Sequence, residues 1–382
     1  MFRLLRIDRY KVRTEKQGRH MVDTMGLDFL HATEADREEI AEFVCSHPDG
    51  QIEHTWEGSL LLDIASNGRW RTRLLAARVE GKLTAVMPVS VAGKGFRVMR
   101  SDGGPLISSA LSSSGFTGAL HELIRISLAD GCCRLEMRML YPETIGQDTD
   151  GMASSRMHAL ESAKLRRLGA PHKGSYWVTI QEDGPLLESL SSKCRRDVRK
   201  GMREGVTVEM SRSPMALDYF YQCYRELCAR KGLDYVSEAY IRHGVAPCME
   251  AGLAAVFSSK LNGNVCNMAL VSLTGRPSYW LGASTQEALS SKTPTGQALH
   301  FGVMQQLRAM GRTIYDLGGS PGPVPQQGHP NFGVWQFKYE FGGQYVTYLD
   351  RFERVLRPGM DRMLSLGLRF RDAVRSARRQ PE

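Results

Sequence analysis

The sequence predicts an α/β protein of mixed sheets, built as two halves of the same architecture. Three observations carry this. Apolar runs of strand length alternate with segments of helical period. Two turn signals, Glu80-Gly81 and Asn262-Gly263, sit at matching places in the two halves. The order helix, hairpin, further strand, helix, strand then occurs twice. At 382 residues the chain suits two domains and buries full cores without staples.

The elements follow in order. Thr33, with Asp36 three residues later, is an N-cap for a helix over 33–47 whose stripe is Ile40, Phe43 and Val44. Strands over 74–79 and 83–91 flank Glu80-Gly81 as a hairpin. A helix over 116–128 ends at Asp130-Gly131. The strand that follows, 133–139, alternates through Leu135, Met137 and Met139. In the second half 217–229 is helical, and 254–260 and 265–273 form a hairpin about Asn262-Gly263, a strong two-residue turn. The sheet continues at 278–282, a helix spans 296–310, and a strand spans 313–317. A helical, basic stretch, 191–203, opens this half. A Gly- and Pro-rich loop covers 318–333, and one helical tail begins at Pro358.

Charge is concentrated at the ends. The formal net charge is +9, yet residues 1–20 and residues 351–382 each carry +5, which leaves the body near neutral. Basic ends favour polyanions such as RNA, phosphate-rich substrates or an anionic lipid surface; a solvated tail is the plain alternative. No apolar run approaches a membrane span, and the charged start lacks a secretory apolar region, so the expected location is cytoplasmic. The eight Cys form no C-x-x-C pair and read as buried thiols rather than a zinc site or disulfide framework. No Gly-x-Ser-x-Gly, no phosphate-loop Gly-Lys-Ser/Thr and no metal-ligand spacing occurs, and no metal is expected.

Several stretches resemble a known family. Tyr315-Asp316-Leu317-Gly318-Gly319, a loop, and then Gly333-Val334-Trp335-Gln336-Phe337-Lys338-Tyr339-Glu340-Phe341-Gly342-Gly343 resemble the C-terminal signature of Fem-type (FemAB) transferases, within the Gcn5-like acetyltransferase (GNAT) superfamily. Leu190 to Lys200 with Gly205-Val206, and Phe220-Tyr221 running on to Gly232, are similar too; 75–88 and Gly103-Gly104-Pro105 are so more weakly. The resemblance implies two tandem GNAT-like domains with a cleft between them, here 21–170 and 171–357, between a basic arm (1–20) and a basic helical tail (358–382). It implies amide-forming acyl transfer: an aminoacyl group passes from aminoacyl-tRNA, as co-substrate, to a primary amine of a peptide or cell-wall-type precursor. Two alternatives stay open. One is an N-acyltransferase using acyl-CoA or a carrier-protein thioester; the other is a non-catalytic RNA-binding protein on the same fold.

The resemblance places the catalytic task on Lys338, with Phe337 as wall of the acyl pocket. A fixed cation near the carbonyl or leaving oxygen stabilises the charge that develops there. The plain reading of the same residues is an alternating strand, with Trp335, Phe337 and Tyr339 on one face and Lys338 in solvent. Asp316, Gly318 and Gly319 end a strand, where open sheets place ligands, and form the expected cleft floor with Tyr315 and Trp335 beside them. Turn chemistry alone accounts for Asp-x-Gly-Gly equally well. On the basic helix Arg195 and Arg199 share one face, and Arg196 shares another with Lys200 and Arg203; these are candidate phosphate contacts, or a solvated face. For the acyl-CoA alternative, Thr293-Pro294-Thr295-Gly296-Gln297-Ala298 is a degraded Arg/Gln-x-x-Gly-x-Gly/Ala loop. Gly296 and Ala298 fit it, but Thr293 does not, and Pro294 lacks an N–H. His300, one turn into the helix, reads as structural. The tail, with Met363, Leu366 and Phe370 among its Arg, either packs on the body or makes peripheral contact with an anionic membrane.

Overall fold

The computed structural model describes residues 27–144, 152–168, 174–181 and 183–377. The basic arm over 1–20 lies outside them. The first half opens with strand β1 (Phe29–His31) and helix α1 (Arg37–Ser46). The Thr33 backbone N–H and hydroxyl both donate to Asp36 Oδ2, at 2.7 and 2.8 Å, which closes the entry to α1. Short helices α2 (Trp56–Ser59) and α3 (Leu61–Ala65) lead to the hairpin β2 (Trp70–Val79) and β3 (Lys82–Ala92). Its turn residues Glu80 and Gly81 have φ of 52° and 79°, as a type I′ turn requires. Then come β4 (Arg97–Asp102), β5 (Leu106–Ile107), α4 (Ser112–Ala129), β6 (Cys132–Thr144), α5 (Met152–Ser162) and β7 (Arg166–Arg167).

The second half repeats that order after β8 (Gly174–Thr179), α6 (Ser192–Arg203) and β9 (Thr207–Ser211). Helix α7 (Pro214–Lys231) and the short α8 (Ala246–Glu250) precede the hairpin β10 (Ala254–Leu261) and β11 (Asn264–Ser272). Strand β12 (Tyr279–Ser284), α9 (Gln286–Ser290), α10 (Thr295–Ala309) and β13 (Ile314–Ser320) complete the repeat. Helix α11 (Phe332–Glu340), β14 (Gln344–Val355) and α12 (Pro358–Ala377) follow. Cys45 is half-buried, and the other seven Cys are buried, all as free thiols.

One sheet runs β1-β2-β3-β4-β6-β14-β8-β13, with β5 on β3 and β7 on β14; a second runs β12-β11-β10-β9. Strand β14 joins the halves, because residues 347–355 pair with β6 while residues 344–346 pair with β8. Each half contains a parallel pair connected through a helix, and here the halves differ. Strands β4 and β6 pair along Arg97–Asp102, whereas β12 and β13 approach at one isolated bridge, Ser278 with Asp316. Past it the register of β13 against β8 shifts between Asp316 and Gly319. Such a bulge bends the strand and releases it from its neighbour. The opening lies beyond the carboxyl ends of parallel strands, in the second half alone.

The plain alternative weighed for Lys338 fails. The alternating aromatics of 335–340 do not form a strand; they lie in α11. There Trp335, Lys338 and Phe341, three apart, are all buried, while Tyr339 is exposed. Packing of that face outweighs the strand preference of Trp, Phe and Tyr. Helix α12 begins docked: Arg134 pairs with Asp361 at 2.8 Å and donates to Ser365 at 3.0 Å. Its Met363, Leu366 and Phe370 stay exposed at 61, 65 and 74%. Among the described residues no helix is long and apolar enough to cross a membrane.

Candidate active site

The bulge in β13 is organised by Asp316. Its Oδ1 accepts from the Ser175 hydroxyl and from the Gly318 N–H (2.8 Å), and its Oδ2 accepts from the Tyr348 hydroxyl (2.8 Å). With both oxygens engaged and the residue 6% exposed, Asp316 is a positioning residue rather than a group offered to substrate. Of the two glycines only Gly318 needs the left-handed region, at φ 77°. A Cβ there would also lie 2.9 Å from Tyr279 O. The turn aims the Gly319 carbonyl at α11.

Lys338 Nζ meets that carbonyl at 2.9 Å. The residue is 6% exposed. Its ammonium lies 6.0 Å from the centre of the Tyr279 ring. Burial lowers its pKa to about 8, against the opposing pull of Asp316. Gly319 O is its only hydrogen-bond acceptor among the described residues. An ammonium has three donors, so two remain for a ligand.

Behind Lys338 stands an aromatic wall. His300 is buried among Tyr279, Phe337 and Phe341, with ring centroids 4.8, 5.3 and 5.7 Å away. Its Nδ1 meets the Tyr315 hydroxyl at 3.0 Å. Burial, and then the Lys338 charge, lower its pKa to about 3, so it is neutral and structural, as the sequence reading has it. Tyr315 is fully buried and supports His300 from the core. Trp335 donates to Gly322 O at 2.8 Å and to the Tyr176 hydroxyl at 3.2 Å, holding the 321–331 loop. The expectation that Tyr315 and Trp335 touch substrate is therefore corrected: both act from behind. Phe337 is half-buried and closes on the start of α10, where a Cβ on Gly296 would lie 3.7 Å from its ring.

The basic helix and the α10 N-terminus, unrelated in sequence, prove to be neighbours. A Cβ on Gly201 in α6 would lie 3.1 Å from the Ala298 Cβ. Lys200 Nζ donates to Lys292 O at 2.9 Å, and the Thr293 hydroxyl donates to Glu204 at 2.6 Å. Arg195 is half-buried, Arg196 and Arg199 are exposed, and the only carboxylate near the three is Asp197, 4.0 Å from Arg196, among the described residues. The N–H groups of Gly296 and Gln297 find no acceptor among the described residues, as first-turn amides commonly do not.

Several residues of this region escaped the sequence reading. Tyr348 accepts from Trp177 Nε1 at 2.9 Å, and both rings flank the buried Arg276 guanidinium at 5.6 and 4.9 Å. Arg276 in turn faces Asp49 of the first half at 3.8 Å. No local signal marks these residues, because each acts across more than a hundred positions. Two cavities lie along the seam of the halves. One, of about 520 Å³, is lined on its floor by β4, β6 and β14, including Tyr348. The other, of about 200 Å³, is lined by Glu53, Tyr240, Trp280 and Leu281 among others. Lys338 lines neither and is connected to the larger through Asp316 and Tyr348.

Residues 189–338 match the family described as acetyltransferase (GNAT) domain. That segment defines the class: a GNAT-type acyltransferase domain within the second half. More particularly, the architecture is similar to that of FemX, whose crystal structure superposes with a TM-score of 0.73 at 16% identity over 88% of this chain and 99% of that one. A lysylphosphatidylglycerol synthetase domain, described as putative, from Agrobacterium fabrum follows (TM-score 0.55, 16% identity, 87% of this chain and 95% of that one). So does L-PGS from Bacillus licheniformis (0.51, 16%, 84% and 92%). At such identities these likenesses establish the shared fold. No curated protein matches the sequence.

Proposed function

We propose that the chain is a Fem-like, amide-forming acyltransferase that moves an aminoacyl group from aminoacyl-tRNA to a primary amine of a peptide or cell-wall-type precursor. The observation that carries the reading is the buried Lys338 ammonium with two donors uncommitted, beside the opening between β12 and β13. A neutral acceptor amine attacks the ester carbonyl; the C–N bond forms and the bond to the 3′-oxygen breaks. Negative charge develops first on the carbonyl oxygen and then on the leaving oxygen, and Lys338 is placed to hold it. The surplus amine proton passes to the departing oxygen through water, so no dedicated base is needed. Phe337 shapes the acyl pocket, and Arg195, Arg196 and Arg199 offer the donor's phosphates bidentate contacts. The test supplies total tRNA charged with radiolabelled amino acids and amine-bearing peptides. Label transferred to the amine and abolished by ribonuclease is expected; no transfer from any charged tRNA overturns the reading.

A thioester donor is the second reading, favoured by the free amides of Gly296 and Gln297 at the α10 N-terminus, where a pyrophosphate would sit. Product from acyl-CoA, resistant to ribonuclease, decides for it. In either case the ammonium must be charged. As pH rises through about 8 Lys338 loses its proton, so kcat is expected to fall there. Lys338→Arg, which keeps its charge, removes that alkaline limb; a limb that persists in the Arg variant refutes the assignment.

The tail completes the partner list. Met363, Leu366 and Phe370 share one face of α12 by spacing, and Arg362, Arg369 and Arg371 accompany them. This combination suits an anionic bilayer surface. Replacing the three apolar residues with Ser is expected to abolish co-sedimentation with phosphatidylglycerol vesicles and to leave kcat in solution unchanged. Sedimentation equal to the parent protein's would assign the face another role.

A further inference from the structure

Apart from Arg134, which pairs with Asp361, the charges on the floor of the 520 Å³ cavity fall in two rows that the strand register defines. In one row Arg100 lies opposite Glu136, Glu136 opposite Glu353, and Glu353 opposite Arg166. That row is self-compensated: Arg100 pairs with Glu136 at 3.1 Å, and Arg166 pairs with Glu353. In the other, two residues along each strand, Asp102 lies opposite Arg138 and Arg138 opposite Arg351. Neither Arg138 nor Arg351 has an ion pair or side-chain hydrogen bond among the described residues, and both are exposed to the cavity. Asp102 has none within 4.0 Å either; burial raises its pKa, against the opposing pull of Arg100 and Arg138.

Like charges directly opposite on neighbouring strands repel, and in concave, partly desolvated surroundings they repel more. Two neighbouring guanidinium forks with no protein acceptor among the described residues match a carboxylate or phosphate group. We propose that Arg138 and Arg351 form the subsite for an anionic group of the acceptor, so that the acceptor is an amine that also bears a carboxylate or a phosphate. This rests on the acyltransferase reading for the word acceptor; the anion site itself does not. Tyr348, three residues before Arg351 and so about 10 Å along the strand, also lines the cavity. Its hydroxyl is bonded to Asp316, which shapes the turn that holds Lys338. An acceptor anchored by its anion therefore extends past Tyr348 toward the opening beside Lys338.

The experiment is calorimetric titration of the full chain with inorganic phosphate, pyrophosphate and glutarate, at fixed ionic strength. Saturable binding of a phosphate or of the dicarboxylate is expected, and which arm binds names the group. Arg138→Gln and Arg351→Gln should each weaken it by about tenfold or more. Arg138→Lys, which keeps the charge but loses the fork, should weaken it by a smaller factor, and Arg225→Gln on α7, exposed and outside the cavity, should not change it. The Gln variants should melt no lower than the parent, because each relieves a repulsion. Absence of saturable binding in every arm, or affinity unchanged in both Gln variants, overturns the proposal. Because no turnover is measured, the result stands apart from whether acyl transfer is detected.

Discussion

Lys338→Met is expected to lower kcat by ~10²–10³-fold, the usual cost of removing one donor from a developing oxyanion, and to make the protein more stable. The two effects share one cause. The folded protein holds this group at a pKa of about 8 against an ordinary 10.5. Below pH 8 both the folded and the unfolded chain carry the proton, and only the folded chain suffers the desolvation. That penalty is about 3 kcal/mol, of which the lost hydrogen bond to Gly319 takes back about 1 kcal/mol. It fades between pH 8 and 10.5, as the folded state sheds its proton before the unfolded state does. Denaturant unfolding should therefore give a more stable Met variant at pH 7 and a gap that narrows toward pH 10.5. A folded Met variant with kcat near that of the parent would remove Lys338 from the chemistry, whatever its stability.

Asp316→Ala has the opposite sign. It strips the acceptor from Ser175, Tyr348 and the Gly318 amide, all inside the protein. Leaving such donors unsatisfied costs about 3–5 kcal/mol in total, and kcat falls because the Gly318–Gly319 turn is no longer held. Asp316→Asn separates position from charge. It keeps an acceptor for Ser175 and Gly318, so most of the stability survives. The negative charge that supports the Lys338 proton is gone. The alkaline limb of kcat should therefore move to lower pH in the Asn variant. An unmoved limb, with stability near that of the parent, would leave Asp316 a turn residue and nothing more.

Much of the scaffold was legible because it is local. Asn262-Gly263 and Glu80-Gly81 adopt positive φ, as the hairpins they announce require. The helices over 33–47 and 296–310 were visible from their stripes, and α1 and α10 occupy them within a few residues. Misreadings fell where a local pattern met a tertiary demand. The 335–340 aromatics alternate as a strand would, yet the burial of Trp335, Lys338 and Phe341 selects a helix. Tyr315 and Trp335 lie within the resembling stretches, yet they turn inward to His300 and to the 321–331 loop. Tyr348, Ser175 and Arg276 stayed unseen, because each meets its partner across a distance in sequence that no spacing rule encodes.

By itself the sequence determined the repeated order of helices and strands and the turns between them, since periodicity and turn conformation depend on near neighbours. Only the tertiary structure decided which half opens. Both halves contain a parallel pair, but β13 and β12 meet at one isolated bridge, Ser278 with Asp316, while β4 and β6 pair along Arg97–Asp102. It also decided that Lys338 is buried with donors to spare and that Arg138 and Arg351 stand unpaired side by side. Those are properties of which strands pair and how deeply a charge is enclosed, and long-range pairing and desolvation exist only once the chain has folded.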